Sequence, residues 1–424
     1  MNLNSLKNQG LIVENINGLK TSFLAGCVIG DELYFSSWLE NGFYKLELKT
    51  GICKILKKFE QEKEDSYLFS EAIHFQNFIW FIPAHNSENI VKVNLENLEM
   101  TYIPLPVNGK SISDKEGNHF LKFKCCYKEG GTEFWLVPIG YNMLLKVDML
   151  TDKVKKWQAF GDEIEFGDGT INFIDACFVG DNIWFCPYDC KKLVIFHTLK
   201  ESFELRKWKH ANDEINLIRN YKNWVIYFSR TRANSIFLIN SKTYEEKEIL
   251  LNIKSQEEIS IRYMVADVIG KYILMAPFLA HEFIAVDLET GDVQVDTSLH
   301  EYRLNMGWEV ERYQSSFRYN SKIIYVSDIS GTPLMIYDLQ ENIVSYINIR
   351  VNTEHYNKFF EELYAENPNK ALEKLNKSIV IEKEIPLSYY ASSLLQDIDG
   401  LILPTDKVGQ DTDGRKIFFN IKEL

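Results

Sequence analysis

Apolar residues fall along this chain in short runs broken by turn residues, mostly with the two-residue alternation of strands. Three runs share a spelling: Ile79-Trp80-Phe81-Ile82-Pro83, Phe134-Trp135-Leu136-Val137-Pro138 and Ile183-Trp184-Phe185-Cys186-Pro187. Aligned on the Trp, large apolar anchors recur at Tyr34, Trp80, Trp135, Trp184, Tyr227, Leu274, Tyr325 and Leu401. Pro follows three residues later in five units, as Pro83, Pro138, Pro187, Pro277 and Pro404. Ser37, Arg230 and Asp328 take that place in the others. Ahead of each anchor stands a run containing small residues, such as Ala25-Gly26-Cys27, Cys125-Cys126 and Ala176-Cys177, and then a tight turn. Behind it come a polar loop, an alternating strand such as Ile90-Val91-Lys92-Val93-Asn94 or Leu144-Leu145-Lys146-Val147-Asp148, and a more polar fourth strand.

Four short strands per unit, with most units 40–50 residues long, predict the blades of an all-β propeller. The small residues suit the innermost strand, where blades crowd the axis. The Pro suits the end of the second strand, where no ladder donor is required. Eight anchors predict eight blades in a single domain over residues 1–424, and Leu11-Ile12-Val13 is expected to complete the last blade. Seven blades plus a C-terminal appendage is the alternative. Between units seven and eight, residues 352–388 form an insertion with helical spacing at His355-Tyr356, Phe359-Phe360 and Leu363, for which Asn352 or Thr353 is a candidate cap. The rhythm of Trp-x-x-Pro followed by Ile/Leu-x-Lys-Val-Asn/Asp resembles the broad superfamily of Kelch, NHL and virginiamycin-B-lyase-like propellers. The resemblance implies an architecture and no activity, because such units serve binders, scaffolds and enzymes alike.

Loop lengths distinguish the two faces. Turns between strands one and two and between three and four are short, whereas the blade-to-blade links 104–120, 159–171, 298–312 and 352–388 are long and open on the other face. Long loops on a rigid scaffold are where binding concentrates. Ligand-binding candidates on that face are Trp38, His85, Tyr141, Tyr188, Arg230, Arg232, His281, Trp308, Glu309 and Arg312, since aromatic rings and Arg dominate binding hot spots. Glu71, Asp175 and Asp267 fall on inner strands and, with His74 or His85 at the channel mouth, are the candidate catalytic groups; structural ion pairs are the competing reading.

Composition narrows the partners. A net charge of −13 without a basic block argues against nucleic acid. With no long apolar run and no leader pattern, neither a membrane nor an export route is expected, so the expected location is cytoplasmic. Seven cysteines without a matching His/Cys pair fit reduced thiols and no metal or other cofactor. The acidic stretch from Asp162 to Asp168 lacks the distal Glu and alternating ligands of a calcium loop. The expected function is non-catalytic binding of a small molecule, a carbohydrate or peptide, or a partner protein on the long-loop face. The alternative is a lyase or hydrolase acting on a carbohydrate or modified peptide at the channel mouth.

Overall fold

The computed structural model describes residues 16–19, 21–62, 66–107, 121–158, 173–187, 192–210, 213, 215–229, 234–251, 253, 262–280, 282–296, 312–328, 332–363, 365 and 379–380. Within them lie seven four-stranded antiparallel blades, each built from consecutive strands. From innermost to outermost strand, blade one runs from Gly26–Ile29 to Ile52–Lys57, blade two from Phe69–Phe75 to Met100–Pro104, and blade three from Phe123–Tyr127 to Lys153–Gln158. Blade four runs from Phe173–Val179 to Ser202–Lys207, blade five from Ile215–Tyr221 to Glu246–Leu250, blade six from Tyr263–Ile269 to Val293–Asp296, and blade seven from Tyr313–Tyr319 to Ile343–Ile347.

The expectation of eight blades is therefore corrected to seven, the stated alternative, and the unit anchored on Leu401 lies outside the described residues. The ring closes directly between blades seven and one. The Ser315 hydroxyl donates to the Phe23 carbonyl (3.2 Å), Ser22 Oγ to the Ser327 carbonyl (3.2 Å) and Tyr319 to Asp31 (2.6 Å), while Phe23 stacks on Phe317. Leu11-Ile12-Val13 also lies outside the described residues; the strand seen near the N-terminus, Ile16–Leu19, belongs to blade one's sheet. That sheet grows outward. Arg350–Asn352 pairs parallel to Ile52–Cys53, Ile16–Leu19 pairs with Arg350–Asn352, and Ile379–Val380 pairs with Ile16–Leu19. Chain leaving blade seven is thus fastened to the outer edge of blade one.

Helix α1 (Thr353–Leu363) begins where its spacing predicts, and Asn352 Oδ1 accepts the His355 N–H (3.0 Å) as the N-cap. Its Tyr356 and Phe360 are fully buried among Phe23, Tyr44 and Ile55 of blade one and Ile324 and Ile336 of blade seven. The helix is a wedge between these two blades. Residues 364, 366–378 and 381–388 of the expected insertion lie outside the described residues.

The recurring motif has a cross-strand cause. Trp80 pairs with Lys92 and Trp135 with Lys146, each ammonium lying over the indole at 5.0 and 5.5 Å. Lys92 then bonds Asp152 of blade three (2.7 Å), and Trp80 meets Phe134 of that blade edge-on, so one motif joins two blades. The Asn or Asp ending strand three caps the next turn: Asp148, Asn240, Asp287 and Asp338 each accept two backbone N–H groups.

The registers correct two anchors. Tyr263 pairs with Pro277, and at the same place Ile215 pairs with Ser229 and Tyr313 with Ser327. Ser229 and Ser327, rather than Arg230 and Asp328, replace the Pro, and the anchors of these blades are Ile226 and Ile324. Pairing with strand three has ended two residues earlier, at Phe81–Val91 in blade two, so Pro83 forfeits no ladder bond.

Candidate functional site

Inner strands of blades two, four, five, six and seven carry a bulge near their start. The extra residue re-aims a side chain at the neighbouring blade. Ser70 donates to the Phe123 carbonyl (3.3 Å), Asn216 to the Tyr263 carbonyl (2.7 Å) and Gln314 to Ser22 Oγ (2.7 Å). Just beyond the bulges of blades two and four stand Glu71 and Asp175.

These carboxylates are committed to neighbouring blades. Glu71 accepts the Cys125 N–H (2.6 Å) and pairs with Lys124. Asp175, 2% exposed, accepts from Arg219 (2.6 Å), from the Ile218 N–H (3.2 Å) and from the Ala176 N–H (2.9 Å), with Lys124 at 3.9 Å. Asp267 accepts from Ser316 (3.1 Å). Arg219 in turn donates to the Ala266 carbonyl (2.7 Å), and Arg318 to the Val268 carbonyl (2.7 Å). Blade by blade the signs read Glu71, Lys124, Asp175, Arg219, Asp267, Arg318, and blade one contributes Gly26 at the seam. Burial opposes the charge on Lys124, yet Glu71 and Asp175 outweigh it and raise its pKa; Asp175 and Asp267 do the same for Arg219. Burial raises the Asp267 carboxyl above the usual range, with Arg318 and Arg219 offsetting part of the effect.

His74 stands three residues from Glu71, hence on the opposite face of the same strand, and is not placed as its partner. Inner-strand thiols offer no nucleophile. Burial pushes Cys27 up to about 12 and also raises Cys125, Cys126 and Cys177. Among the described residues, no group of three or more His, Cys, Asp or Glu side chains could hold a metal ion.

The long-loop face brings other expected residues together. Trp38 lies between strands two and three of blade one, and His85 at the same place in blade two. Between them, in the link joining the blades, sits Tyr67. The Trp38 and Tyr67 rings are 4.8 Å apart and perpendicular, Tyr67 and His85 are 5.9 Å apart and perpendicular, and Trp38 and His85 are 6.0 Å apart at 63°. Tyr67 is exposed, and the other two rings are half-buried. Backbone bonds sew the corner together: the Tyr67 N–H donates to the Trp38 carbonyl (3.0 Å), and the Asn86 N–H to the Tyr67 carbonyl (3.2 Å).

Tyr67 also has a left-handed backbone, φ +56°. The other non-glycine residues with positive φ among those described (Gln76, Leu98, Asp152, Glu201, Lys222, Tyr244, Asn320 and Asn342) all occupy hairpin turns, where that conformation is ordinary. Tyr67 is not in a hairpin, and strained backbone conformations cluster at active sites and ligand clamps. The sequence reading missed this residue, because Ser66-Tyr67-Leu68 contains no glycine or asparagine to signal the conformation.

The remaining candidates separate. Tyr141 is 2% exposed, packs on Phe123 and donates to the Pro106 carbonyl (3.3 Å), so its burial takes it off the surface where a ligand was expected. Arg312 pairs with Asp328 (2.7 Å) and lies over Phe278 between blades six and seven. Tyr188, Arg230, Arg232, His281, Trp308 and Glu309, and the stretch from Asp162 to Asp168, lie outside the described residues. No helix among the described residues is long and apolar enough to cross a membrane.

No protein-family model matches the chain, and no curated protein resembles it in sequence. Solved structures do share its fold. Virginiamycin B lyase from Staphylococcus aureus superposes with a TM-score of 0.50 at 10% identity, over 74% of this chain and 96% of that one. PorZ, a surface component of the type-IX secretion system of Porphyromonas gingivalis, gives 0.52 at 8% identity, over 79% of this chain and 39% of its own. A chain of the mitotic checkpoint complex gives 0.50 at 8%, over 76% and 90%. The chain therefore shares the β-propeller fold with these structures, which include a lyase and components of protein assemblies.

Proposed function

We propose that this propeller binds a ligand or partner protein through its long-loop face without transforming it, and that Trp38, Tyr67 and His85 form an anchoring corner of that surface. The observation that carries this reading is Tyr67, an exposed ring held by a strained backbone against two further aromatic rings. The state of the inner-strand carboxylates argues in the same direction. Glu71 and Asp175, whose oxygens are held by cations and backbone N–H donors, have no free position for proton transfer.

The test is a thermal-shift screen against oligosaccharides and short peptides. At about a hundred times its dissociation constant, a ligand adds roughly 2.7 kcal/mol to stability. Any shift should vanish in Trp38→Ala and Tyr67→Ala and persist in Glu71→Gln. A shift that survives both aromatic changes places the site elsewhere. Turnover of a screened compound that is lost in Glu71→Gln and Asp175→Asn would replace binding with catalysis.

A further inference from the structure

We infer that the Trp38–Tyr67–His85 corner takes a cationic alkylammonium group; this rests on the reading of the corner as a binding site. Three ring planes meeting at 90°, 90° and 63° stand like the walls of a box corner, with centroids 4.8–6.0 Å apart. Ring faces carry the negative lobe of the aromatic quadrupole, and a cation within about 6 Å of several centroids is attracted by all of them at once. A compact alkylammonium is small enough to reach three rings at this spacing, and its methyl groups lose little on leaving water.

The polar surroundings favour the same class. A sugar needs hydrogen-bonding edge groups beside its stacking face. Here the side-chain amides of the flanking loops are turned inward. Asn86 Nδ2 donates to the Ser66 carbonyl (2.8 Å), Asn41 Nδ2 to the Phe59 carbonyl (3.2 Å), and Asn89 Nδ2 to Glu62 (3.0 Å). A cation requires no such partners, only rings and negative potential. On the same loops Glu88 is exposed and paired with Lys122 (2.5 Å), Glu40 is buried against the Tyr44 hydroxyl (2.6 Å) and burial raises the Glu62 carboxyl, so the attraction falls to the rings and to the net charge of the chain. Across the whole chain, acids exceed bases by 13.

The experiment is isothermal titration of the full chain with choline, with tetramethylammonium, and with 3,3-dimethylbutanol, the neutral carbon isostere of choline. Choline and tetramethylammonium are expected to saturate, and the neutral isostere to bind about tenfold more weakly or less. Trp38→Ala and Tyr67→Ala should each abolish saturation, and Tyr67→Phe should retain it at an unchanged melting temperature, which separates a lost ring from a lost fold. Equal binding of the neutral isostere overturns the inference and leaves an apolar corner, with the binding reading intact. Cation binding that survives both alanine changes also overturns it. Absence of binding by all three probes overturns it as well. The broader reading falls with it only if ligands found in the thermal screen are likewise indifferent to Trp38→Ala and Tyr67→Ala.

Discussion

At the residue scale, the most informative side chains are those whose local cost is visible. A bulky residue at φ +56° costs on the order of 1–3 kcal/mol relative to a relaxed backbone, and glycine relieves that cost. Tyr67→Gly and Tyr67→Ala both remove the ring, but only alanine keeps the strain. Tyr67→Gly should therefore be more stable than Tyr67→Ala by about 1 kcal/mol in urea titration, and equal stabilities would show that no strain is held there. Asp267 allows a second comparison. Its folded carboxyl lies above the usual value because burial disfavours the charge, so its contribution to stability is fullest below about pH 3.9 and is lost as pH rises through the folded value. Asp267→Asn imitates the protonated form. Its stability relative to the parent should therefore rise with pH across that window, and a gap that narrows instead would reverse the assignment. Of these residues, Asp267 was legible in the sequence as a charge on an inner strand, and Trp38 and His85 as aromatic loop residues. Tyr67 was not, because a dihedral angle imposed by two flanking loops leaves no mark in the composition of its own segment.

At the element scale, strands and turns were legible because each blade repeats one solution: an Asn or Asp cap, a Trp–Lys cross-strand pair, and a Pro where pairing ends. The one-residue slip in blades five and seven has a physical origin. Once Ser229 and Ser327 replace Pro, the chain offers Tyr227 and Tyr325 as equally plausible anchors beside Ile226 and Ile324. Helix α1 was legible from its apolar spacing, but its role as a wedge was not, since the surface it fills exists only once blades one and seven meet. Phe360 is fully buried in that wedge. Phe360→Ala should cost about 3–5 kcal/mol in denaturant unfolding. A loss below about 1 kcal/mol would mean that the helix rests on the ring without bracing it. Gly26 tests the facing side of the same seam. A Cβ there would meet Phe317 at 3.1 Å and the Tyr34 carbonyl at 3.2 Å, so Gly26→Ala should destabilise by roughly 1–3 kcal/mol through overpacking.

At the scale of the whole molecule, the charges on the inner strands bear on how the ring closes. Alternating signs can run without conflict around an even number of blades, whereas an odd number forces two like charges together. Seven blades carry six alternating charges, and blade one meets blade seven through Gly26, Phe317 and serine hydroxyls instead. The sequence showed the carboxylates Glu71, Asp175 and Asp267 but not this order, because the count of eight placed an extra blade between blades seven and one. If the charges form a connected belt, Lys124 and Arg219 act together through Asp175, the carboxylate they share. Either cation can then be lost while the other still compensates Asp175. Losing both leaves Glu71 and Asp175 inside the ring without a cation, and an uncompensated buried charge is far costlier than a weakened pair. Lys124→Met combined with Arg219→Met should therefore destabilise by more than the sum of the single changes, with an excess of about 1 kcal/mol or more in urea unfolding. Additivity within about 0.5 kcal/mol would mean that the ring is held by independent pairs, and the order of signs around the axis would then have no part in closing it.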